Sequence, residues 1–261
     1  MSVIYGEERK AQILEYVNRH SRASVQELTS SFGVSESTIR RDLQELEDAK
    51  LLRRTHGGAV SLQSVTFEPT FGEKEEAYRK EKEAIARKAV SFIEEGDTIL
   101  LDSGTTTFFI VKELKAFTRL TVVTNSVMFA QELQNQPGIE LLLAGGSLRK
   151  ETLALVGPLT EQALQMVRVD KAFIATNGLD LEEGLTTPNL VEAATKKQMI
   201  KIAKEVILVT DHSKLGKVAF AKVAELADID RCIIDNNAPL STIRELERSG
   251  IDVHVVQPEE E

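Results

Sequence analysis

Two groups of polar residues in this chain stand at spacings that chemistry can use. In the first, Ser37, Arg41 and Gln44 are four and three residues apart. At about 100° per residue they share one helical face, with Thr38 and Arg40 at its flanks. A guanidinium, an amide and hydroxyls presented together can hydrogen-bond the edges of DNA bases. Arginine suits guanine, glutamine suits adenine, and serine or threonine suits either base or phosphate. Arg53, Arg54 and His56 follow and lead into Gly57-Gly58, which reads as a tight turn in a basic hairpin laid on phosphates. In the second group, Asp102-Ser103-Gly104-Thr105-Thr106-Thr107 leaves an apolar run and enters a helix. Glycine lets backbone approach an anion, threonine hydroxyls donate, and a helix N-terminus adds its dipole, so the stretch reads as a phosphate cradle. Plainer roles fit the same residues: Arg41 pairing with Glu45, Arg40 with Glu36 or Gln44, and a threonine-rich helix cap without a ligand.

The elements that must position the first group are legible. Ser24 with Glu27 makes a capping box, and Val25, Leu28 and Phe32 give the helix that follows an apolar stripe. Gly33 stops that helix and Ser35 caps the next one. In the second helix Ile39, Leu43 and Leu46 define the buried side, opposite Ser37, Arg41 and Gln44. Residues 7–20 supply a preceding helix whose inward face is Ile13, Leu14 and Val17. Helix, short turn with glycine, helix (about 24–47) and a hairpin (50–61) is the layout of a winged helix-turn-helix.

The stretch VSESTIRRDLQELEDAKLLRRTHGGAV resembles the signature of the DeoR family of bacterial transcriptional regulators, with Thr55 before His56-Gly57-Gly58 as its one departure. The resemblance implies a DNA-binding regulator, most simply a repressor of a sugar-use operon, that acts on double-stranded operator DNA as a homo-oligomer, dimer or tetramer.

Charge distribution agrees with a separate head. The chain carries a net −9, but residues 1–60 hold nine basic and nine acidic side chains, so the excess lies wholly in residues 61–261. A neutral head on an acidic body argues for a discrete DNA module and not for a nucleic-acid-coated protein. The single cysteine, Cys232 in RCIID, excludes a disulfide framework and a thiolate metal cluster, and reads as strand core. No stretch reaches the about 20 apolar residues of a membrane span, and no signal peptide is visible, so a soluble cytoplasmic protein with no membrane partner is expected.

The remainder reads as α/β. Residues 62–72, punctuated by Pro69 and Gly72, read as a linker, followed by one long charged helix over 73–95. Apolar runs at 98–102, 120–124, 139–144, 171–176, 206–211, 231–235 and 252–256 alternate with helical segments at 105–115, 126–135, 159–167, 189–204 and 239–248. Near-continuous apolar strands are buried on both faces, which predicts a mostly parallel sheet between helices. A short acidic tail, Glu259–Glu261, ends the chain. The expected division is a head at 1–61, a linker and the start of a connecting helix at 62–80, and a second domain at 81–258.

Ligands of parallel sheets sit at the strands' carboxyl ends. There the chain places Asn125, then Gly145, Gly146 and Arg149, then Asn177 and Asp180, then Gly184 and Thr186, a helix with Glu192 and Lys196, and finally Lys214. With Asp102 to Thr107 they suit a polyhydroxylated, phosphorylated molecule. There is no Walker loop, no dinucleotide fingerprint, no serine nucleophile elbow, and four scattered histidines with no metal spacing, so neither metal nor cofactor is expected.

This half resembles the DeoR sensor domain, itself similar to ribose-5-phosphate isomerase. By that resemblance DSGTTT stands at the isomerase phosphate loop, and Asp180, Glu192 and Lys214 stand roughly at its acidic loop, carboxylate base and lysine. The acidic segment reads NGLDLEE and the lysine-glycine run reads GLTTPN, departures that imply sugar-phosphate binding without turnover. Fructose 1-phosphate or another ketose phosphate is the slight preference for effector, with no catalytic residue. The alternative is a sugar-phosphate isomerase fused to a DNA-binding head.

Overall fold

The computed structural model describes residues 6–62 and 64–259, so the last two residues of the acidic tail lie outside the described residues. The chain divides into two compact units, Met1–Glu68 and Pro69–Glu261.

The first unit contains α1 (Gly6–His20), β1 (Arg22–Ser24), α2 (Val25–Phe32), α3 (Glu36–Asp48), β2 (Leu52–Thr55) and β3 (Gly58–Ser61). The capping box forms as read: Glu27 N–H donates to the Ser24 hydroxyl and Ser24 N–H to the Glu27 carboxylate. Gly33 ends α2 at φ 64°, and the Ser35 hydroxyl accepts from Thr38 N–H to start α3. Ile13, Val17, Leu28, Ile39, Leu43, Leu46 and Leu52 are buried together as one small core. The three strands form an antiparallel sheet in the order β1-β3-β2. Gly58 matters through contact and not through positive φ: a Cβ there would stand 1.9 Å from the Ala23 carbonyl oxygen, so only glycine lets β1 lie against the hairpin.

The second unit opens with α4 (Phe71–Glu76) and α5 (Arg79–Val90), where one continuous helix over 73–95 is the expectation. The break falls at Tyr78, a non-glycine residue at φ 55°. It is held because the buried Lys82 ammonium reaches back to the carbonyls of Lys74 and Ala77, satisfying the end of α4. Phe71 meets Phe108 edge-on at 5.8 Å, so α4 is packed into the second unit and the boundary falls at 68/69, inside the stretch 62–80 read as linker.

Next come β4 (Thr98–Leu101), α6 (Thr105–Glu113), β5 (Leu120–Thr124), α7 (Val127–Leu133), β6 (Ile139–Leu143), β7 (Ser147–Arg149), β8 (Ala154–Val156), α8 (Pro158–Gln165) and β9 (Val169–Ile174). The chain continues with β10 (Gly178–Asp180), β11 (Gly184–Thr187), α9 (Leu190–Ile202), β12 (Ala203–Val209), β13 (Ala221–Ala224), β14 (Arg231–Asp235), α10 (Leu240–Arg248) and β15 (Asp252–Val256). Seven strands form one parallel sheet in the order β15-β14-β12-β9-β4-β5-β6, as their apolar character demands. Alternate side chains serve two cores. Ile99, Leu101, Phe173 and Ile207 pack with Ile85, Ile110 and Phe129 of α5, α6 and α7. Leu100, Ala172, Ile174 and Leu208 pack with Leu164, Met199 and Leu246 of α8, α9 and α10. Cys232 lies inside β14, and burial pushes its thiol up to about 12. The β7–β8 hairpin and the small sheet β10-β11-β13 have strands of three or four residues, too short for a periodic signal in sequence.

Candidate functional site

In the first unit α3 presents the expected face. Ser37 and Thr38 hydroxyls lie 2.8 and 2.9 Å from the capping hydroxyl of Ser35, so the three form one cluster at the helix start. Arg41 is 70% exposed with its guanidinium 4.0 Å from Glu45, and Arg40 stands 3.4 Å from Glu36. Both plain intrahelical pairs therefore form, but exposed pairs of this length hold weakly and yield to a stronger partner. Gln44 donates to Asp48 at 2.8 Å and accepts from Arg54, whose own N–H donates to Glu47 at 2.8 Å. Arg54 is thus tied to α3, because the turn at residues 49–51 brings β2 back alongside the helix that precedes it. Arg53 lies over the Phe67 ring at 5.4 Å, and His56 is exposed at the hairpin tip.

In the second unit a cleft of about 520 Å³, counting its open mouth, lies at the carboxyl ends of the strands. Ser103, Gly104, Thr105 and Thr106 form its floor at the start of α6, where backbone N–H groups have no partner within the helix. Asn125 fixes that floor from behind, accepting from Ser103 N–H at 3.1 Å and donating to the Leu155 carbonyl at 3.0 Å. Asp102 accepts from Ala175 N–H at 3.0 Å and pairs with Lys196, whose ammonium also donates to the Ala175 carbonyl at 3.0 Å. Glu192 receives Arg149 at 2.5 Å and lies 4.0 Å from Lys196, so the half-buried Arg149 and the buried Glu192, Lys196 and Asp102 alternate in sign along one row.

The opposite wall brings Lys74 and Lys82 from the α4–α5 break and Asp211 and Lys214 from the end of β12. Burial is the main cause that lowers the Lys82 ammonium to about 8; Asp211 opposes it, while Lys214 and Lys74 reinforce it. Lys214 is lowered as well, again by burial first. A cleft whose buried cations are shifted toward neutrality gains by taking in an anion. Three buried oxygens, Asp102 Oδ1, Ser103 Oγ and Asp211 Oδ2, have no hydrogen-bond partner, and acceptors of that kind suit the hydroxyls of a ligand. Asn177 completes the lining on the side of β9.

Asp102, Asn125 and Arg149 stand behind the lining and hold its residues, and the other strand-end residues do not line the cleft either. Thr107 donates to the carbonyls of Asp102 and Gly104 at 2.5 and 2.9 Å, closing the turn into α6. The Gly145 carbonyl accepts from Thr160 at 2.6 Å, and Gly146 sits at φ 141°, where a Cβ would stand 2.0 Å from that same hydroxyl oxygen. Asp180 accepts from the N–H groups of Glu183 and Glu182 in the β10–β11 turn, which hold its carboxyl below the usual range. Gly184, in the same turn, lies against the Ala224 carbonyl, and Thr186 accepts from Ala219 N–H at 2.9 Å. These are turn and register devices, which sequence alone does not separate from ligand groups. Conversely, Phe71, Lys74, Lys82, Thr152 and Thr176 line the cleft, and nothing in their local sequence marks them.

Residues 9–65 match the family model of the DeoR-like helix-turn-helix domain, and residues 78–236 match that of the DeoR C-terminal sensor domain. The chain is 43% identical over 246 residues to the HTH-type transcriptional regulator GlpR of Haloferax volcanii, covering 94% of this chain and 96% of that protein. It is 36% identical over 264 residues to the HTH-type transcriptional repressor GlcR of Bacillus subtilis, covering 98% and 99%. A D-ribose-5-phosphate isomerase in complex with phospho-erythronic acid is 20% identical, with a TM-score of 0.38 over 51% of this chain and 52% of that one, a likeness too slight to bear on activity. Among the described residues no helix is long and apolar enough to cross a membrane.

Proposed function

The chain belongs to the DeoR family of transcriptional regulators, and from that premise we propose that it is a repressor whose sensor cleft takes a phosphorylated sugar, a ketose phosphate in first preference. The observation that carries this reading is the lysine wall, Lys82 buried and Lys74 and Lys214 half-buried, that lines the same cleft as the N-terminus of α6. The phosphoryl group would lie between the Thr105 and Thr106 N–H groups and the ammoniums of Lys82 and Lys214. Sugar hydroxyls would meet Asn177 and the unpartnered oxygens of Asp211 and Ser103. In the head, the α3 face carrying Ser37, Arg41 and Gln44 would enter the major groove.

Release follows from the position of Lys82. Its ammonium ties off α4, the first helix after the head, by hydrogen bonds to Lys74 and Ala77. A phosphate in the cleft competes for the same protons, so occupancy loosens α4. A homo-oligomer must space two heads by about one helical turn or a multiple of it. An effector that favours the loosened arrangement then lowers operator affinity, while equal affinity for both arrangements would shift nothing. A regulator of this kind works in the cytoplasm, where its operator is.

Turnover is not part of the proposal. The full-length relatives are regulators. Glu192, at the position that resembles the isomerase base, is engaged by the Arg149 guanidinium at 2.5 Å. Saturation-transfer NMR against a panel of sugar phosphates and their unphosphorylated forms tests both statements at once. The expected result is transfer to a phosphorylated sugar only, without new product signals; conversion of that sugar would make the protein an isomerase.

The depressed Lys82 adds a pH signature. A bound phosphate favours the charged ammonium, so binding takes up a proton above about pH 8. Effector affinity is expected to be up to about tenfold weaker at pH 9 than at pH 7, with heats of binding that vary with buffer ionisation. In Lys82→Met the affinity is lower at pH 7 and its pH dependence flatter, with Lys214 as the remaining titrating group. An identical pH profile in Lys82→Met would remove Lys82 from the site.

A further inference from the structure

We infer that Arg9 is a positioning residue for sequence recognition: through Asp42 it sets the rotation of α3 about its axis, and so determines operator specificity without touching DNA. The inference rests on the reading of α3 as the DNA-reading helix.

Arg9 on α1 and Asp42 on α3, 33 residues apart in sequence, form a two-pronged pair, Nε to Oδ2 at 2.6 Å and Nη2 to Oδ1 at 3.1 Å. Asp42 is 2% exposed and Arg9 8%. A buried ion pair is a poor source of stability, since an apolar pair of similar volume serves as well or better. What it supplies is direction. Ile39, Leu43 and Leu46 are aliphatic and accept small rotations by repacking, whereas a guanidinium and a carboxylate fixed by two hydrogen bonds hold both planes.

Asp42 is adjacent to Arg41, so any rotation at the buried carboxylate is passed to the exposed guanidinium. A 20° turn moves an atom about 6 Å from the axis by about 2 Å, more than a base-edge hydrogen bond tolerates. The neighbouring residue on α1 acts in the same sense. Lys10 binds Glu45 at 2.7 Å, while Arg41 stands 4.0 Å from that carboxylate. Adjacent cations on α1 thus neutralise the acids at positions 42 and 45, and leave Arg41 available to a base.

The test uses the full chain and the duplex that the wild-type protein selects from a random library. For each variant, affinity is measured for that duplex and for a scrambled one at equal salt; their ratio is unaffected by the fraction of protein folded. Arg9→Met with Asp42→Leu is expected to fold and to lose about tenfold or more of the ratio, with an unchanged salt slope. Should that pair not fold, Arg9→Lys keeps the charge but loses the fork, and is expected to show the same loss. A ratio within twofold of wild type in the folded double variant, or in Arg9→Lys if the double variant does not fold, would overturn the inference. Arg41→Ala is the control: no effect there means that α3 is not the reading helix, whereas an effect there with none at Arg9 and Asp42 rejects the positioning role alone.

Discussion

Asp102→Ala is expected to lower the unfolding free energy of the second unit by about 3 kcal/mol and to abolish the response to effector. Asp102 and Lys196 are both nearly inaccessible to solvent, and their contact joins the end of β4 to α9, while the same carboxylate takes the Ala175 N–H at the end of β9. Removing the carboxylate takes from the buried Lys196 ammonium its closest anionic partner, while the Ala175 carbonyl stays at 3.0 Å and Glu192 stands at 4.0 Å. Breaking a buried ion pair from one side is among the few single changes that cost this much. Hydrogen exchange at the amides of β4 and β9 reads the loss in the second unit itself. Unchanged protection there would mean that Lys196 turns to Glu192 at no cost, and that the charged row is not what fixes the sheet's carboxyl edge.

Arg41→Ala is expected to weaken binding to the selected duplex by about tenfold to a hundredfold, the range of one good base contact. The guanidinium is the most exposed arginine group on α3, and the carboxylate beside it, Glu45, is engaged more closely by Lys10. A base contact and a phosphate contact leave different signatures. Loss of a phosphate contact lowers affinity for every duplex alike and reduces the salt slope by about one. Loss of a base contact lowers affinity for the selected duplex and relaxes preference at one position with little change in slope. The second pattern is the expected one. Equal loss on selected and scrambled duplexes would place Arg41 on the backbone and shift the reading of bases to Gln44 and its neighbours. Effector binding should be untouched, since the cleft is lined wholly by residues of the second unit.

The two halves differ in how much of their chemistry is local. Helix α3 begins where Ser35 can cap it, and its inner and outer faces follow from spacing alone, so Ser37, Arg41 and Gln44 share a face before any tertiary contact is known. The seven sheet strands are legible for the same kind of reason, because burial on both faces demands an apolar run. Arg54 is different: hairpin geometry brings it back onto Gln44, ten residues earlier.

The sensor cleft shows the limit more sharply. That DSGTTT opens onto a helix N-terminus is a property of six consecutive residues and needs no partner to be recognised. Whether Asp180 or Lys82 meets the ligand is not such a property. Asp180 faces its own turn because Glu182 and Glu183 supply the N–H groups it needs. Lys82 enters the cleft because the chain breaks at Tyr78, between α4 and α5, and leaves carbonyls for its ammonium to tie off, in a stretch whose composition alone suggests one solvated helix. Sequence by itself determined the helix-turn-helix, the seven strands of the large sheet and the family, since capping, periodicity and turn chemistry act between residues a few positions apart. Only the tertiary structure decided which charges are buried against each other, Arg9 with Asp42 and Lys196 with Asp102, because burial and ion pairing depend on groups that the chain separates by 33 and 94 residues.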